Sequence, residues 1–260
     1  MGVLNVTPDS FFDGGRYQST GAAVAHGLAL IAQGADIVDV GGESTRPGAG
    51  FVPEAEEMSR VVPVVEALAG RVRVSVDTVK PAVAMAALRA GATLVNDVSA
   101  SLSEVAAAGR AGWVAVHMQG TPATMQAAPH YDDVVAEVFD FVLARARLAL
   151  EKGVEEVWVD PGIGFGKTMD HNLSLLHHLP ELTSAASAAG CAGVVVGTSR
   201  KRFLGLLAAP AGSDGPAGVE DRMEGSLATA VLAMVSGAGM VRVHDVAATV
   251  QAARLYGPAA

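Results

Sequence analysis

Eight short apolar runs in this chain each end in a polar or glycine-rich tip, and helix-like segments separate them. The runs are VLNVTPDS from Val3, IVDVGGESTRPG from Ile37, VSVDT from Val74, LVND from Leu94, VAVHMQG from Val114, VWVDPGIGFGK from Val157, VVVGTSRK from Val194 and VRVHD from Val241. Runs that do not alternate apolar and polar residues are typical of strands covered on both faces. Repeated strand–helix units predict a parallel α/β sheet, and eight of them favour a single (β/α)8 TIM barrel with its active site at the carboxyl ends of the strands. An open, doubly wound sheet is the alternative.

Helix-like segments connect the apolar runs. Alanine, leucine and glutamate, which favour helices, dominate these segments. They lie near residues 20–34, 54–69, 80–91, 102–110, 132–152, 171–188, 221–237 and 246–256. Three of them end at Gly34, Gly91 and Gly153, as expected where a helix terminates in a left-handed residue. The length of 260 residues is close to the ~250 typical of one barrel, so we expect one domain over residues 1–260.

Composition argues against several classes of protein. A net charge of −9 argues against general nucleic-acid binding, although local basic residues still permit an anionic small substrate. The single cysteine, Cys191, allows no internal disulfide and suits a reducing cytoplasm. Met1 leads directly into a strand pattern rather than a targeting segment, and no apolar run reaches the ~20 residues of a bilayer span. We therefore expect a cytoplasmic protein without nucleic-acid or membrane partners.

Two carboxylates and an amide stand at the ends of three apolar runs: Asp77, Asn96 and Asp160. Because the loops after the strands form the active face of a barrel, these side chains would meet at one rim. A charged group at the mouth of an apolar barrel is costly unless it binds something. Together the three match a flat ring with several N–H donors, such as a pterin or a guanine. The alternative is a structural role, as a helix N-cap or a buried bridge to a lysine.

Basic residues follow the last two strands. Lys201 comes after the seventh run, and Arg242 and His244 lie in the eighth. Arg242 and His244 are two positions apart, so both project to the same side of a strand. The loops after the seventh and eighth strands of barrels often bind phosphate. The three residues therefore predict an anion site beside Ser199, with a cluster of solvated charges as the alternative.

Asn5 lies inside the first apolar run, where it is either a satisfied core amide or a ligand. In a barrel the first and last strands are neighbours, so Asn5 would lie beside Arg242 and His244. Magnesium prefers oxygen ligands and substrate phosphates, and this corner could hold a magnesium-bound diphosphate. The absence of a Cys/His cluster and of an HExxH motif argues against zinc. His117 ends a strand and either lines the site or packs in the core.

The motifs at the ends of the runs resemble those of the dihydropteroate synthases of folate biosynthesis. The resemblance covers nearly the whole chain and is carried by LNVTPDSFFDGG, DVGGESTRPGA, SVDT, NDVS, HMQGTPATMQ, DPGIGFGKT, GTSRKRFLG and RVHDV, in this order. It implies a pterin-binding barrel that joins 6-hydroxymethyl-7,8-dihydropterin diphosphate to 4-aminobenzoate, with Mg²⁺ as cofactor. It also implies inhibition by sulfonamides, which mimic 4-aminobenzoate. We expect the substitution to be dissociative, without a covalent enzyme intermediate.

The resemblance also implies roles for individual residues. The pterin ring is expected to contact Asp77, Asn96, Asp160, Lys201, Met118 and Phe165, of which the last two are otherwise packing residues. The diphosphate and its magnesium are expected at Asn5, Arg242 and His244. The aminobenzoate pocket is expected to include Thr45, Arg46, Pro47 and Ser199, and Gly197 is expected at the substrate site. The expected catalytic residues are Asp13, Arg46, Asp160 and Lys201, with Asp13 stabilising the developing pterin cation.

Two other functions share parts of this pattern. A pterin-binding methyltransferase would keep the Asp and Asn residues that contact the pterin ring. It would not need the anion site formed by the SRK and RVH motifs. A non-catalytic paralogue would be expected to lose Arg46, Lys201 or a residue of RVH, all of which are present. The segment SASLSEVAAAG after NDVS is shorter than in the family, so we expect an altered rim there. The helix near 225–234 is apolar on several sides, which predicts a homodimer.

Overall fold

Eight short strands form one parallel sheet in sequence order. A computed structural model of the chain describes residues 1–7, 16–44, 50–210, 212–213 and 215–256, with the backbone alone for 16–19. The strands are β1 (Gly2–Asn5), β2 (Ile37–Gly41), β3 (Arg73–Asp77), β4 (Leu94–Asp97), β5 (Gly112–Val116), β6 (Val157–Asp160), β7 (Gly193–Val196) and β8 (Met240–Val241). Each strand pairs in parallel with the next. The eight predicted strands and their parallel arrangement are confirmed.

Residues beside the last strand also pair with the first. Gly2 forms a parallel bridge with Val243. The amide of Val3 donates to the carbonyl of Val243 at 2.9 Å, and the amide of Val243 donates to the carbonyl of Met1 at 3.0 Å. The sheet is therefore curled, and the carboxyl ends of all its strands lie at one edge.

Ten α-helices connect these strands within the described ranges. They are α1 (Arg16–Ala32), α2 (Glu54–Leu68), α3 (Pro81–Arg89), α4 (Ser103–Ala108), α5 (Val134–Glu151), α6 (Met169–His177), α7 (Leu179–Ala188), α8 (Arg202–Ala208), α9 (Met223–Val235) and α10 (Val246–Tyr256). The prediction of one helix over 171–188 is wrong, because Pro180 in the first turn of α7 has no amide to continue the pattern of α6. The short helix α8 was not predicted. None of these helices combines the length and the apolar character that crossing a bilayer requires.

Three helix ends confirm the reading of glycine in the sequence. Gly34, Gly91 and Gly153 follow α1, α3 and α5, and their φ angles are 97°, 112° and 88°. Residues with a side chain rarely adopt this left-handed backbone conformation, whereas glycine adopts it at little cost. These residues therefore end the helices and turn the chain back towards the next strand.

Two apolar clusters pack against the sheet. The larger joins the strands to the helices and includes Trp113, Leu175 and Leu179, all fully buried. The smaller draws side chains from five strands, namely Ile37, Leu94, Val114, Val195 and Met240. Because side chains alternate along a strand, those of the smaller cluster face away from the helices. This cluster forms an apolar floor beneath the polar residues at the carboxyl edge.

The segment after β4 folds onto the carboxylate of Asp97. Its Oδ1 accepts hydrogen bonds from the amide and the hydroxyl of Ser99, at 2.9 and 2.5 Å. Its Oδ2 accepts from the amides of Ser101 and Leu102, both at 2.7 Å, and from the indole of Trp113 at 3.2 Å. Asp97 is fully buried, so these donors replace its lost hydration. The carboxylate thus holds the rim beyond β4 in place.

We expect Asp97→Ala to lower the free energy of unfolding by about 3–5 kcal/mol, because several buried donors would lose their acceptor together. Urea unfolding followed by tryptophan fluorescence measures the change, and Trp113 next to the lost carboxylate supplies part of the signal. Ser99→Ala removes one donor and should cost about 1 kcal/mol or less. Equal, small losses in both variants would show that Asp97 does not organise the segment.

Candidate active site

A cavity lies at the carboxyl edge of the sheet. Its walls come from the ends of β3 to β6 and from the segments after β4, β6, β7 and β8. The lining residues are Asp77, Asn96, Val98, Val116, Asp160, Phe165, Gly197, Lys201 and Arg242. All of these except Val98 and Val116 were named from the sequence as substrate-site residues. The cavity thus brings acidic groups from β3 and β6 together with basic groups that follow β7 and β8.

Four other predicted residues that the structure describes are not among the residues that line the cavity. Asn5 is partly buried at the end of β1, opposite Gly41 of β2. Met118 packs, partly buried, against the smaller apolar cluster. Ser199 and His244 contact each other across the segments that follow β7 and β8. Outside the described residues lie Asp13, Thr45, Arg46 and Pro47.

Arg242 is the centre of a network of carboxylates. Its Nε donates to Asp39 Oδ2 at 2.6 Å, and its Nη2 donates to Asp77 Oδ2 at 2.7 Å. The side-chain amide of Asn96 donates to the same Asp39 oxygen at 3.0 Å. The sequence predicted Arg242 as part of an open anion site. The structure instead ties two of its nitrogens to protein carboxylates and leaves Nη1 without an acceptor among the described residues.

Asp39 is a member of this network that was not predicted from the sequence. It is fully buried in β2, and its Oδ1 has no hydrogen-bond partner in the described part of the chain. A carboxylate inside the apolar run IVDVGG was the available signal, since a buried charge needs a partner. The partner itself, Arg242, lies 203 positions along the chain and could not be identified without the fold.

Burial shifts the proton affinity of the acids in the cavity. It raises the pKa of Asp77, although the charge of Arg242 opposes the shift. It also raises the pKa of Asp160, against the opposing charge of Lys201. Both carboxyl groups can therefore keep or share a proton at a higher pH than an exposed aspartate.

The two cations of the cavity respond differently to burial. Burial lowers the pKa of Lys201 to about 8, although Asp160 opposes the shift. Burial also works against the charge of Arg242, but Asp39 and Asp77 outweigh it and raise the pKa above its usual value. Arg242 is thus a permanent charge, whereas Lys201 can lose its proton at mildly alkaline pH.

Segment 161–168, between β6 and α6, shapes one wall of the cavity. The amide of Gly162 donates to Asp160 Oδ1 at 2.7 Å and holds that carboxylate at the end of its strand. Lys201 donates through Nζ to the carbonyl of Ile163. The same ammonium lies 4.4 Å from the centre of the Phe165 ring. The segment therefore positions an acid, a carbonyl and an aromatic face around Lys201.

The segments after β7 and β8 are joined by polar contacts. Ser199 Oγ and His244 Nδ1 are 3.0 Å apart, and the amide of His244 donates to the same hydroxyl oxygen at 3.1 Å. Arg200 forms an ion pair with Asp245 at 2.6 Å. These contacts fix the two segments that were predicted to bind an anion.

Lys80 contacts residues on both sides of segment 45–49. Its Nζ donates to Glu43 Oε2 at 2.8 Å, to the carbonyl of Val52 at 2.6 Å and to Glu57 Oε2 at 2.5 Å. The amide of Val52 also donates to Glu43 Oε1 at 2.8 Å. Glu43 and Val52 stand on either side of the residues predicted for the aminobenzoate pocket. Lys80 thus fixes the two points between which that part of the chain runs.

Comparison with known proteins agrees with the chemistry of this cavity. The family model described as pterin binding enzyme matches residues 1–244. The chain is 46% identical over 264 residues to the dihydropteroate synthase of Escherichia coli strain K12, covering 98% of this chain and 89% of that protein. Among solved structures, Xanthomonas albilineans dihydropteroate synthase with 4-aminobenzoic acid is 46% identical, with a TM-score of 0.87 over 98% of this chain and 90% of that chain. The complex of that enzyme with 7,8-dihydropteroate gives 44% identity and a TM-score of 0.83 over 98% and 91%.

Proposed function

Because the chain belongs to the dihydropteroate synthase family of pterin-binding enzymes, we propose that it condenses 6-hydroxymethyl-7,8-dihydropterin diphosphate with 4-aminobenzoate. The products are 7,8-dihydropteroate and diphosphate. The observation that carries the proposal is the cavity in which Asp77, Asn96 and Asp160 face Lys201 and Arg242. This cavity offers acceptors for ring N–H groups next to cations for an anionic leaving group.

We propose that the pterin ring enters the cavity edge-on to Asp160 and Asn96. A carboxylate and an amide can form paired hydrogen bonds with the amino and ring N–H groups of a pterin. Lys201 stands on the opposite side and can donate to a ring acceptor. Phe165 supplies an aromatic face, with Val98, Val116 and Met118 as apolar neighbours.

The substitution proceeds by loss of diphosphate before the amine adds. The C–O bond breaks, its electron pair goes to the diphosphate oxygen, and positive charge develops on the pterin methylene carbon. The 4-aminobenzoate nitrogen then forms the new C–N bond and releases a proton. Arg242, Lys201 and the Ser199–His244 pair stabilise the leaving anion. The carboxylate of Asp160 favours the cationic ring, and Asp13 has the same expected role. Arg46, Thr45 and Pro47 are expected to hold the aminobenzoate.

Near Asn5, Arg242 and His244, magnesium fits only as a substrate-bound ion. In the described ranges, no group of three or more His, Cys, Asp or Glu side chains is arranged to hold a metal. The oxygen of Asn5, at the end of β1, can supply a single neutral ligand, and Mg²⁺ commonly takes one or two protein oxygens together with phosphates and water. Asn5 would hold the ion, and Arg242 and His244 would bind the phosphate oxygens beside it. When bound, the ion would offset negative charge on the departing diphosphate.

We also propose a single domain folded as a closed (β/α)8 TIM barrel. The support is the pairing of Gly2 and Val3 with Val243, which brings the first strand beside the segment after the last. A homodimer is proposed from the exposed apolar residues of α8, α9 and the segment between them, namely Leu207, Val219, Met223, Leu232 and Val235. The single cysteine, partly buried Cys191, is compatible with the cytoplasm.

The direct test mixes the purified protein with both substrates and Mg²⁺ and follows diphosphate release and 7,8-dihydropteroate formation. We expect both products in equal amounts and competition between a sulfonamide and 4-aminobenzoate. Methyl transfer from methyltetrahydrofolate without diphosphate release would favour a pterin-binding methyltransferase. Pterin binding without turnover, together with failure to complement a strain lacking the synthase, would favour a non-catalytic paralogue.

A further inference from the structure

A second lysine lies behind the wall of the cavity. Lys167, in segment 161–168, is only 3% exposed. Its Nζ lies 2.8 Å from His117 Nδ1, donates to the carbonyl of Phe165 at 3.1 Å and stands 5.9 Å from the centre of the Tyr131 ring. No carboxylate among the described residues forms an ion pair with it. A buried ammonium of this kind is costly to keep, so a contribution to stability does not explain it.

A ring contact and a backbone hydrogen bond hold His117 in place beside Lys167. Its ring packs edge-on against Phe141, with the ring centres 5.0 Å apart, and its amide donates to the carbonyl of Asp160 at 3.1 Å. Burial, together with the charge of Lys167, lowers the pKa of His117 to about 3. The imidazole is therefore neutral, and with Nδ1 accepting from the ammonium its proton lies on Nε2.

The segment that contains Lys167 is fitted closely to the end of β5. A side chain at Gly162 would meet the carbonyl oxygen of His117 at 1.8 Å, and the φ of Gly162 is 67°. The hydroxyl of Tyr131 donates to the carbonyl of Gly166 at 2.8 Å. On the cavity side, Lys201 binds the carbonyl of Ile163. One lysine therefore holds the segment from the cavity and another holds it from behind.

The charge of Lys167 also reaches the acid in the cavity. Burial raises the pKa of Asp160, and the charges of Lys201, Arg242 and Lys167 oppose that shift. Burial and the charge of Lys201 together lower the pKa of Lys167 itself to about 7, although Asp160 opposes the shift. Among the described residues, the charged or titratable groups around Lys167 and Asp160 include Lys201, Arg242, His117 and Tyr131.

We propose that Lys167 is a positioning residue for the pterin pocket. Its bonds to His117 and to the Phe165 carbonyl fix the turn that presents Phe165 and the Ile163 carbonyl to the cavity. Its positive charge also lies behind Asp160. This inference rests on the proposed function, since it concerns the pterin half of the same site. In the aminobenzoate half, the described residue Ser199 bonds with His244 rather than with Lys167.

Lys167→Met tests the proposal, because it removes the donor and the charge while keeping the length of the side chain. We expect kcat/KM for the pterin diphosphate to fall about tenfold and KM for 4-aminobenzoate to stay within about twofold of the original value. Without the nearby positive charge, the pKa of Asp160 rises, so activity should be lost at a higher pH as the solution is acidified. Tm should be unchanged or higher, because a buried charge without a counterion is gone.

Two histidine variants provide the matched comparison. His117→Asn keeps an acceptor near the position of Nδ1, whereas His117→Leu removes it. We expect the asparagine variant to stay within about threefold of wild type and the leucine variant to lose kcat/KM for the pterin diphosphate as Lys167→Met does. Wild-type rates in both Lys167→Met and His117→Leu, with an unmoved acidic limb in Lys167→Met, would overturn the proposal. So would an equal rise in both KM values accompanied by a lower Tm, which marks general loosening.

Failure of the proposed function can be separated from failure of this inference. If the wild-type protein makes no dihydropteroate, the proposed reaction is wrong. Calorimetric titration with 6-hydroxymethylpterin then measures the pocket directly. Weaker binding by Lys167→Met and His117→Leu than by wild type and His117→Asn supports the positioning role, and equal binding by all four proteins rejects it.

Discussion

Lys201→Met should reduce kcat/KM for the pterin diphosphate by about 100- to 1000-fold, because the site loses a preorganised charge beside the reacting ring. The ammonium donates to the carbonyl of Ile163, lies 4.4 Å from the centre of the Phe165 ring and faces the same cavity as Asp160. Methionine fills similar space without the charge. Since burial already disfavours this ammonium, its removal should cost little stability. Steady-state kinetics at saturating 4-aminobenzoate measures the loss.

The pH profile should change together with the rate. The pKa of Lys201 is lowered to about 8, so the side chain is charged below that pH and loses its proton as the pH rises through it. Wild-type kcat/KM should therefore fall above about pH 8, and the variant should lack this limb. Lys152→Met is the matched control, since Lys152 is an exposed residue paired with Glu104. A Lys201→Met enzyme within about threefold of wild type would remove Lys201 from the site.

Arg242→Met should abolish measurable turnover and lower the free energy of unfolding by about 3–5 kcal/mol, because it leaves Asp39 and Asp77 without their shared cation. The arginine contacts these carboxylates at 2.6 and 2.7 Å. Burial already raises the pKa of Asp77, and loss of Arg242 removes the charge that opposes the shift. The folded variant then holds a proton more tightly than the unfolded chain does, so its deficit in stability should shrink as the pH falls.

Urea unfolding of wild type and variant at several pH values checks this expectation. Arg200→Met is the control, because it breaks the more exposed ion pair with Asp245. Such a pair contributes about 1 kcal/mol or less, without a strong pH dependence in this range. If Arg242→Met and Arg200→Met were equally mild, the buried network would not hold β2, β3 and the segment after β8 together.

The strands and most helices could be predicted because their signals are local. Continuous apolar runs mark strands covered on both faces, and alanine-rich segments ending at Gly34, Gly91 and Gly153 mark the helices between them. Pro180 was a local signal that the sixth helical segment divides into two helices. The high alanine and leucine content of that segment nevertheless favoured the prediction of one helix. Helix α8 has only seven residues, too few for a clear periodic pattern.

Seven of the residues that line the cavity could be predicted from the sequence, but the contacts between them could not. The aspartates and basic residues at the ends of strands indicated one shared cavity, because parallel strands end at the same edge. Nothing in the spacing of residues indicated that Arg242 would donate hydrogen bonds to Asp39 and Asp77, or that His117 would accept one from Lys167. These contacts depend on which strands become neighbours and on the depth of each side chain, and both are properties of the folded chain.

The pairing between the two ends of the sheet has a consequence for biosynthesis. The amino group of Met1 donates to the carbonyl of Val241 at 3.0 Å, across 240 positions of sequence. Contacts of such long range form late, since the intervening chain must be ordered first. Arg242 belongs to the same stretch, so a nascent polypeptide that does not yet reach residue 242 would carry Asp39 and Asp77 without a counter-charge. The ability to bind ligand should therefore appear abruptly, once residue 242 has been added, rather than accumulate with each strand–helix unit.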